Sequence, residues 1–220
     1  MNKNLIHTNE SGRSMVEMLG VLAIVGVLSV GGIAGYSKAM NKFKTNKLIE
    51  QVNMISTNVR TLYASQKSYD GLTNGAAIRT GVLPNEMVDV AASQVAGINV
   101  SQSTSGIVNA FAGQVIITTG GVKEDGDDGA FIISMDKIPE AACVAIATTE
   151  WGGDAGGGLL AMSIESGADM VDDAADALKE ATLASGTGLY TISNGDLPVA
   201  VTSAAAVCSG TENAIAWKYM

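Results

Sequence analysis

The feature that most constrains this chain is an uncharged apolar run over residues 18–36. Its 19 residues would span about 28 Å as an α-helix, which is close to the thickness of bilayer hydrocarbon. One acid, Glu17, stands directly before the run. An acid at the centre of a membrane helix costs about 2.5–3.5 kcal/mol. Glu17 is therefore predicted to have a partner that neutralises it, although a tolerated acid near the lipid headgroups would give the same sequence.

The helical pattern continues beyond the apolar run. Apolar residues recur there at steps of four, three, four and three, at Leu48, Val52, Ile55, Val59 and Leu62. This spacing is typical of an amphipathic helix with one face to bury. Because Pro84 is the first proline, we expect one long helix over residues 13–70, with an apolar half and then an amphipathic half. Its stop is predicted at Asp70-Gly71, since glycine commonly ends helices.

The remainder, residues 71–220, indicates a globular α+β domain. Alternating or β-branched runs predict strands, and two of them flank a long acidic loop in the manner of an antiparallel hairpin. The predicted strands are residues 114–119, 130–135, 189–192, 199–204 and 214–219. The predicted helices are residues 139–148 and 169–184, and residues 85–95 could be a short helix or a loop. The expected fold is thus a long N-terminal helix packed on an antiparallel sheet.

Charge is divided unevenly along the chain. Through Asp70 there are 8 Lys and Arg residues against 4 Asp and Glu residues, and from Gly71 onward 5 against 18, which gives the net charge of −9. The predicted globular domain is therefore strongly acidic. Nucleic-acid binding needs a basic face, so we expect no nucleic-acid partner.

Two cysteines, Cys143 and Cys208, follow an apolar segment of the kind that directs export. An even number of cysteines in an exported chain predicts one disulfide in an oxidising compartment. Such a bridge would close a loop of about 65 residues, worth roughly 4 kcal/mol by chain entropy. Two buried free thiols are the alternative.

The sequence offers little catalytic chemistry. Its only histidine is His7, which excludes histidine-based triads and metal sites from the rest of the chain. Asp172 and Asp176 lie one helical turn apart but are typical of a solvated acidic face. The acidic residues 124–128 could bind Ca²⁺ but lack EF-hand spacing, and the glycine-rich residues 152–158 lack the lysine of a phosphate loop. We expect no enzyme activity, cofactor or metal.

The N-terminal region resembles the type IV pilins. Gly12, then Glu17 at the fifth position after it, and then an unbroken apolar helix match the class III signal of that family. The resemblance is specific over residues 12–70, and over residues 71–220 it extends only to architecture. The large domain and the long cysteine loop are most similar to the type IVb branch. Arg13 departs from the family pattern, which has an apolar residue at this position.

The resemblance implies a maturation path. Residues 1–12 would be a leader, prepilin peptidase would cut between Gly12 and Arg13, and the new amino group of Arg13 would be methylated. Glu17 would pair with the N-terminus of a neighbouring subunit and so set the register of assembly. The precursor would sit in the inner membrane through residues 18–36, and identical or related pilin subunits would polymerise into an extracellular pilus for adhesion or bundling.

Two other functions remain possible on the sequence. A pseudopilin of a type II secretion system would share the signal and the helix. A secreted binding domain with an ordinary signal peptide, cut near Ala39, would lose Glu17 altogether. Four lysines after the apolar run are interpreted either as a solvated collar or as partners for acidic surfaces of neighbouring subunits: Lys38, Lys42, Lys44 and Lys47.

Overall fold

A computed structural model describes residues 15–90, 95–99, 106–122, 128–152, 157–167, 171–180 and 187–220. The chain divides into two compact units, with the boundary between Asn41 and Lys42. One long helix, α1 (Met15–Tyr63), begins in the first unit and ends in the second. The expected long N-terminal helix is therefore confirmed.

The second unit is built on one sheet. Its elements are α2 (Asn74–Thr80), two 3₁₀ turns (Asn85–Met87 and Val95–Gly97), β1 (Val115–Gly120), β2 (Ala130–Pro139), α3 (Glu140–Ala147), β3 (Leu159–Ser166), α4 (Val171–Asp176), β4 (Leu189–Thr191), α5 (Val201–Val207) and β5 (Glu212–Tyr219). The strands lie in the order β1-β2-β5-β3-β4, and every neighbouring pair is antiparallel. This arrangement confirms the α+β fold with an antiparallel sheet.

The amphipathic part of α1 supplies the core of the second unit. Its side chains Leu48, Val52 and Ile55 are fully buried, as is Val59. They belong to the same hydrophobic cluster as side chains from one face of the sheet, among them Phe131, Ile133, Met135, Ile215, Trp217 and Tyr219. Leu62, predicted to lie on the same buried face, is instead 40% exposed.

The opposite face of the sheet is covered by α4. Alternate residues of β2 and β5, such as Ile132 and Ala216, form a second buried cluster with Ala174, Ala175 and Leu178. The small alanines of β5 let α4 pack closely, since side chains of successive strand residues point to opposite faces. The sheet therefore has a large core on the α1 side and a thinner one on the α4 side.

Helix α1 ends at Tyr63, before the predicted stop at Asp70-Gly71. The following segment is drawn to the sheet: the ring of Tyr69 lies 5.3 Å from Tyr63 and 4.8 Å from Phe131. The backbone N–H of Tyr69 also donates to the carbonyl of Asp128, at 2.7 Å. These contacts partly bury the ring of Tyr69 against the core.

Residues 199–204 were predicted to form a strand, and this prediction is wrong. They lie largely in α5, where the N–H of Ala204 donates to the carbonyl of Ala200 at 2.9 Å. The run of alanines favours helix, and the helix buries Ala204 while leaving Val201 65% exposed. Within the helix predicted over residues 169–184, α4 ends at Asp176 and a turn follows it, while residues 169–170 and 181–184 lie outside the described residues.

Strand β3 was missed from the sequence. Its residues, LLAMSIES, are mostly good helix formers, yet they pair with β5 on one side and β4 on the other. Their burial between two strands decides the conformation, because tertiary context overrides weak local propensity.

The edge strand β1 is held by a side chain from α2. The amide of Asn74, which is fully buried, donates from Nδ2 to the carbonyl of Val115 at 2.8 Å and accepts at Oδ1 from the N–H of Ile117 at 2.7 Å. This amide thus replaces a neighbouring strand at the sheet edge. Exposed edges invite pairing with other chains, and covering them avoids it.

We predict that Asn74→Ala destabilises the second unit by about 2–4 kcal/mol, because it leaves two buried backbone groups without partners. The free energy of unfolding, from urea denaturation of the detergent-solubilised full chain, measures the effect. Asn53→Ala is the matched control, since Asn53 is exposed on α1 and its loss should cost no more than about 0.5 kcal/mol. Equal effects of the two substitutions would contradict the role of Asn74.

Candidate functional site

The first candidate site is the exposed apolar part of α1. Every residue from Met15 to Ala39 is exposed within the chain. Among the described residues, α1 alone is long and apolar enough to cross a membrane, judged by length and composition. Contiguous apolar surface of this size marks a membrane or protein interaction site. Lipid or another protein must therefore cover this segment.

Glu17 lies in the first turn of α1, at the start of this apolar surface. The positive end of the helix dipole favours an acid there. Within the described residues, neither the ion pair Lys47–Glu86 nor the ion pair Lys179–Asp176 involves Glu17. Gly12 and Arg13, the predicted cleavage site, lie outside the described residues.

Two of the four lysines that follow the apolar run make contacts within the chain. The ammonium of Lys44 lies 5.7 Å from the ring centre of Phe111, and Lys47 lies 3.5 Å from a carboxylate oxygen of Glu86. Lys38 and Lys42 are exposed. The two interpretations made from the sequence, a ring of solvated lysines or pairing with acidic surfaces of neighbouring subunits, therefore apply chiefly to Lys38 and Lys42.

The second candidate site is the region bounded by the cysteines. Cys143, on α3, and Cys208, at the C-terminal end of α5, form a disulfide with their Cα atoms 5.8 Å apart. Both are fully buried, and their bond excludes the alternative of two free thiols. Pro139 precedes α3 as its N-cap residue, close to its predicted place in the first turn.

The disulfide encloses much of the sheet. Strands β3 and β4 and helices α4 and α5 all lie between the two cysteines. The bridge therefore links the segment that carries these four elements to helix α3. It limits the conformational entropy of the unfolded chain over 65 residues of separation.

Acidic side chains give this region its surface character. Asp172, Asp173 and Asp176 are exposed on α4. Burial, and then the nearby carboxylate of Asp173, raise the pKa of Glu165 above its usual value. The ionisation of Glu165 therefore lowers the free energy of unfolding as the pH rises through its raised pKa. The exposed aspartates of α4 remain solvated by water, whereas the partly buried Glu165 loses part of its solvation.

The sequence did not indicate a hydrogen bond that joins α1 to the region between the cysteines. Arg60 donates from Nη2 to the carbonyl of Gly157 at 2.6 Å, and its guanidinium lies 5.4 Å from the ring centre of Tyr219. A Cβ at Gly158, whose φ is +65°, would overlap the guanidinium. Burial raises the pKa of Tyr219 far above its usual value. The glycine-rich residues 152–158 were the only sequence signal for this contact, because a glycine at position 158 leaves room for the guanidinium of Arg60.

The acidic residues 124–128, considered above for Ca²⁺, fall mostly outside the described residues, as residues 123–127 are not described. Within the described part of the chain, histidine, cysteine, aspartate and glutamate form no group of three that could hold a metal ion. Of the glycine-rich residues 152–158, residues 153–156 are likewise not described.

Comparison with known proteins identifies similar chains. The sequence profile of the bundlin family matches residues 37–195. The major structural subunit of bundle-forming pilus from Escherichia coli O111:H- is 24% identical over 173 residues, covering 79% of this chain and 82% of that protein. Its counterpart from Escherichia coli O127:H6 has the same identity and coverage. The crystal structure of a type IVb pilin from Salmonella typhi is similar over 79% of this chain and 98% of that chain, with 18% identity and a TM-score of 0.50.

We predict that Cys143→Ser lowers the free energy of unfolding by about 4 kcal/mol, because the unfolded chain regains the entropy of a loop of 65 residues. Urea denaturation of the detergent-solubilised full chain measures this loss. Cys208→Ser and chemical reduction of the unchanged chain are the controls, and each should give a similar loss. A urea midpoint that none of the three changes would contradict a stabilising role for the bridge.

Proposed function

The chain belongs to the bundlin family of type IVb pilins, and we propose that its precursor is cut after Gly12, held in the inner membrane by α1 and polymerised into an extracellular pilus. A pilin of this family is a structural subunit and not an enzyme. The observation that carries the proposal is the exposed apolar part of α1, residues 15–39, joined to a unit that has buried its own core.

Lipid covers the apolar part of α1 before assembly. In the filament the same surface packs against α1 helices of identical or related pilin subunits. Small residues allow helix backbones to approach closely, and five glycines of α1 have open space where a Cβ would stand: Gly20, Gly26, Gly31, Gly32 and Gly35. The helix therefore offers room for neighbours along its whole apolar length.

Glu17 sets the register of this packing. Inside a bundle of apolar helices the effective dielectric is low, so an unpaired carboxylate costs several kcal/mol. The N-terminal ammonium of Arg13, freed by prepilin peptidase and then methylated, is the cation that the neighbouring subunit supplies. Because the charge is costly in any other position, the pair selects one axial offset between subunits.

The pilus function is favoured over the two other functions considered. The family match over residues 37–195 is to bundlin, which favours a pilus over the pseudo-pilus of a secretion system. Cleavage near Ala39, as in an ordinary secreted domain, would fall within the unbroken helix α1 and would remove Glu17. The region between Cys143 and Cys208 then forms the surface at which the filament adheres or bundles.

Cleavage after Gly12 is tested by the intact mass and N-terminal sequence of filaments sheared from the native host. We predict a chain that begins at Arg13, oxidised at its two cysteines. Gly12→Val should leave the full-length chain in the membrane fraction, because a branched side chain replaces the glycine at the cut. A surface protein beginning at Met40 would refute the leader and the filament together.

We predict that Glu17→Val is still processed but reduces the yield of sheared filaments about tenfold or more, since the charge pair that sets the register is lost. The amounts of cleaved subunit in membranes and of subunit in sheared filaments measure the two steps separately. Glu50→Val is the matched control, because Glu50 is also an exposed acid of α1 but lies outside the apolar segment. Normal filament yield from Glu17→Val would refute the assembly role.

A further inference from the structure

The chain contains two Asn-Gly dipeptides, Asn74-Gly75 and Asn194-Gly195. Glycine lacks a Cβ, so its backbone nitrogen is the least hindered nucleophile that can attack the side-chain amide of a preceding asparagine. The product is a cyclic imide, which water opens to aspartate or isoaspartate. The two dipeptides are chemically alike, and the fold places them in opposite environments.

Asn194-Gly195 lies in an exposed turn after β4. Ser193, Asn194 and Gly195 are all exposed, and Gly195 has a φ of +74° with open space on the side where a Cβ would stand. The N–H of Gly195 donates to the carbonyl of Ile192 at 3.0 Å, and the N–H of Asn194 donates to Oγ1 of Thr191 at 3.3 Å, so that hydrogen bonds close the turn. Hydrogen bonds of exposed turns open at little cost in free energy, so the nitrogen of Gly195 regularly becomes accessible to base.

Asn74-Gly75 is protected. The amide of Asn74 is fully buried and holds both Val115 and Ile117 through hydrogen bonds of 2.8 and 2.7 Å. Attack on its carbon by the nitrogen of Gly75 would require the amide to leave β1. That motion breaks two buried hydrogen bonds and needs local unfolding of the sheet edge.

The geometry points to Asn194 as a site of spontaneous deamidation in the folded protein, with Asn74 protected by the sheet. Base removes the proton from the backbone nitrogen of Gly195, a bond forms from this nitrogen to the Cγ of Asn194, and the Cγ–Nδ2 bond breaks to release ammonia. Water then adds to one carbonyl of the imide and breaks one of its C–N bonds. No oxidation or reduction takes place, and the net change is water taken up and ammonia lost.

The reaction adds a negative charge to the region between the cysteines. The new carboxylate stands two residues from Asp196, whose charge, after burial, contributes to raising the pKa of Tyr190. Isoaspartate also inserts an extra atom into the backbone of the turn. A molecule that persists after synthesis would therefore acquire a more acidic surface with age. This inference does not depend on the proposed function.

The test compares the two sites in one sample. The full chain in detergent is held at body temperature and mildly alkaline pH, folded or fully denatured in urea, and peptides containing each asparagine are quantified over time by mass spectrometry. For Asn194 the folded and denatured rates should be similar, whereas folding should slow the reaction of Asn74 about tenfold or more. Asn194→Asp supplies the aspartate product as a chromatographic standard, and Asn194→Gln should remove the signal from this site.

Dividing each folded rate by the denatured rate at the same site removes any difference in intrinsic reactivity. A folded chain in which Asn194 is slowed as much as Asn74 would overturn the inference, because the turn would then protect its amide as well as the sheet does. The inference would also be overturned if the peptide containing Asn194 kept its mass in the folded chain but was deamidated in the denatured chain. Acceleration of both sites by folding would contradict the assigned protection of Asn74.

Discussion

The structure depends on the burial of one face of α1 against the sheet. Leu48, Val52, Ile55 and Val59 are fully buried in a cluster that also takes side chains from the strands. Each such side chain contributes about 2 kcal/mol when removed from water. The contact fixes the second unit to the same helix whose first part is exposed and apolar, so a single element provides both the core of the subunit and the surface for assembly.

Patterns with a strong physical cause could be predicted from the sequence. The spacing of Leu48, Val52 and Ile55 fixes the buried face of a helix, because the geometry of the helix permits no other alignment. The β1-β2 hairpin followed from two runs of β-branched residues around an acidic loop, and the bridge between Cys143 and Cys208 followed from their even number in an exported chain. Each of these signals lies within a short window or in the chemistry of one residue type.

The remaining features depend on contacts between distant segments. Strand β3 has the composition of a helix and is a strand because β5 and β4 lie on either side of it. Arg60 lies on α1, and its hydrogen-bond partner, the carbonyl of Gly157, is far away in the chain. Asn74 has the sequence context of an ordinary loop residue. Local propensity contributes less than about 1 kcal/mol per residue, and burial readily outweighs it.

The strand order has a consequence for how the protein reaches its folded state. Strand β5 follows the other four in the chain, yet it lies at the centre of the sheet between β2 and β3. Without it, β1-β2 and β3-β4 are two separate ribbons, and isolated ribbons are at most marginally stable in water. A chain that emerges from its N-terminus must therefore keep both ribbons unassembled until its last strand arrives. Pairing between distant strands of this kind slows folding, and strand edges that stay unpaired in the meantime favour aggregation.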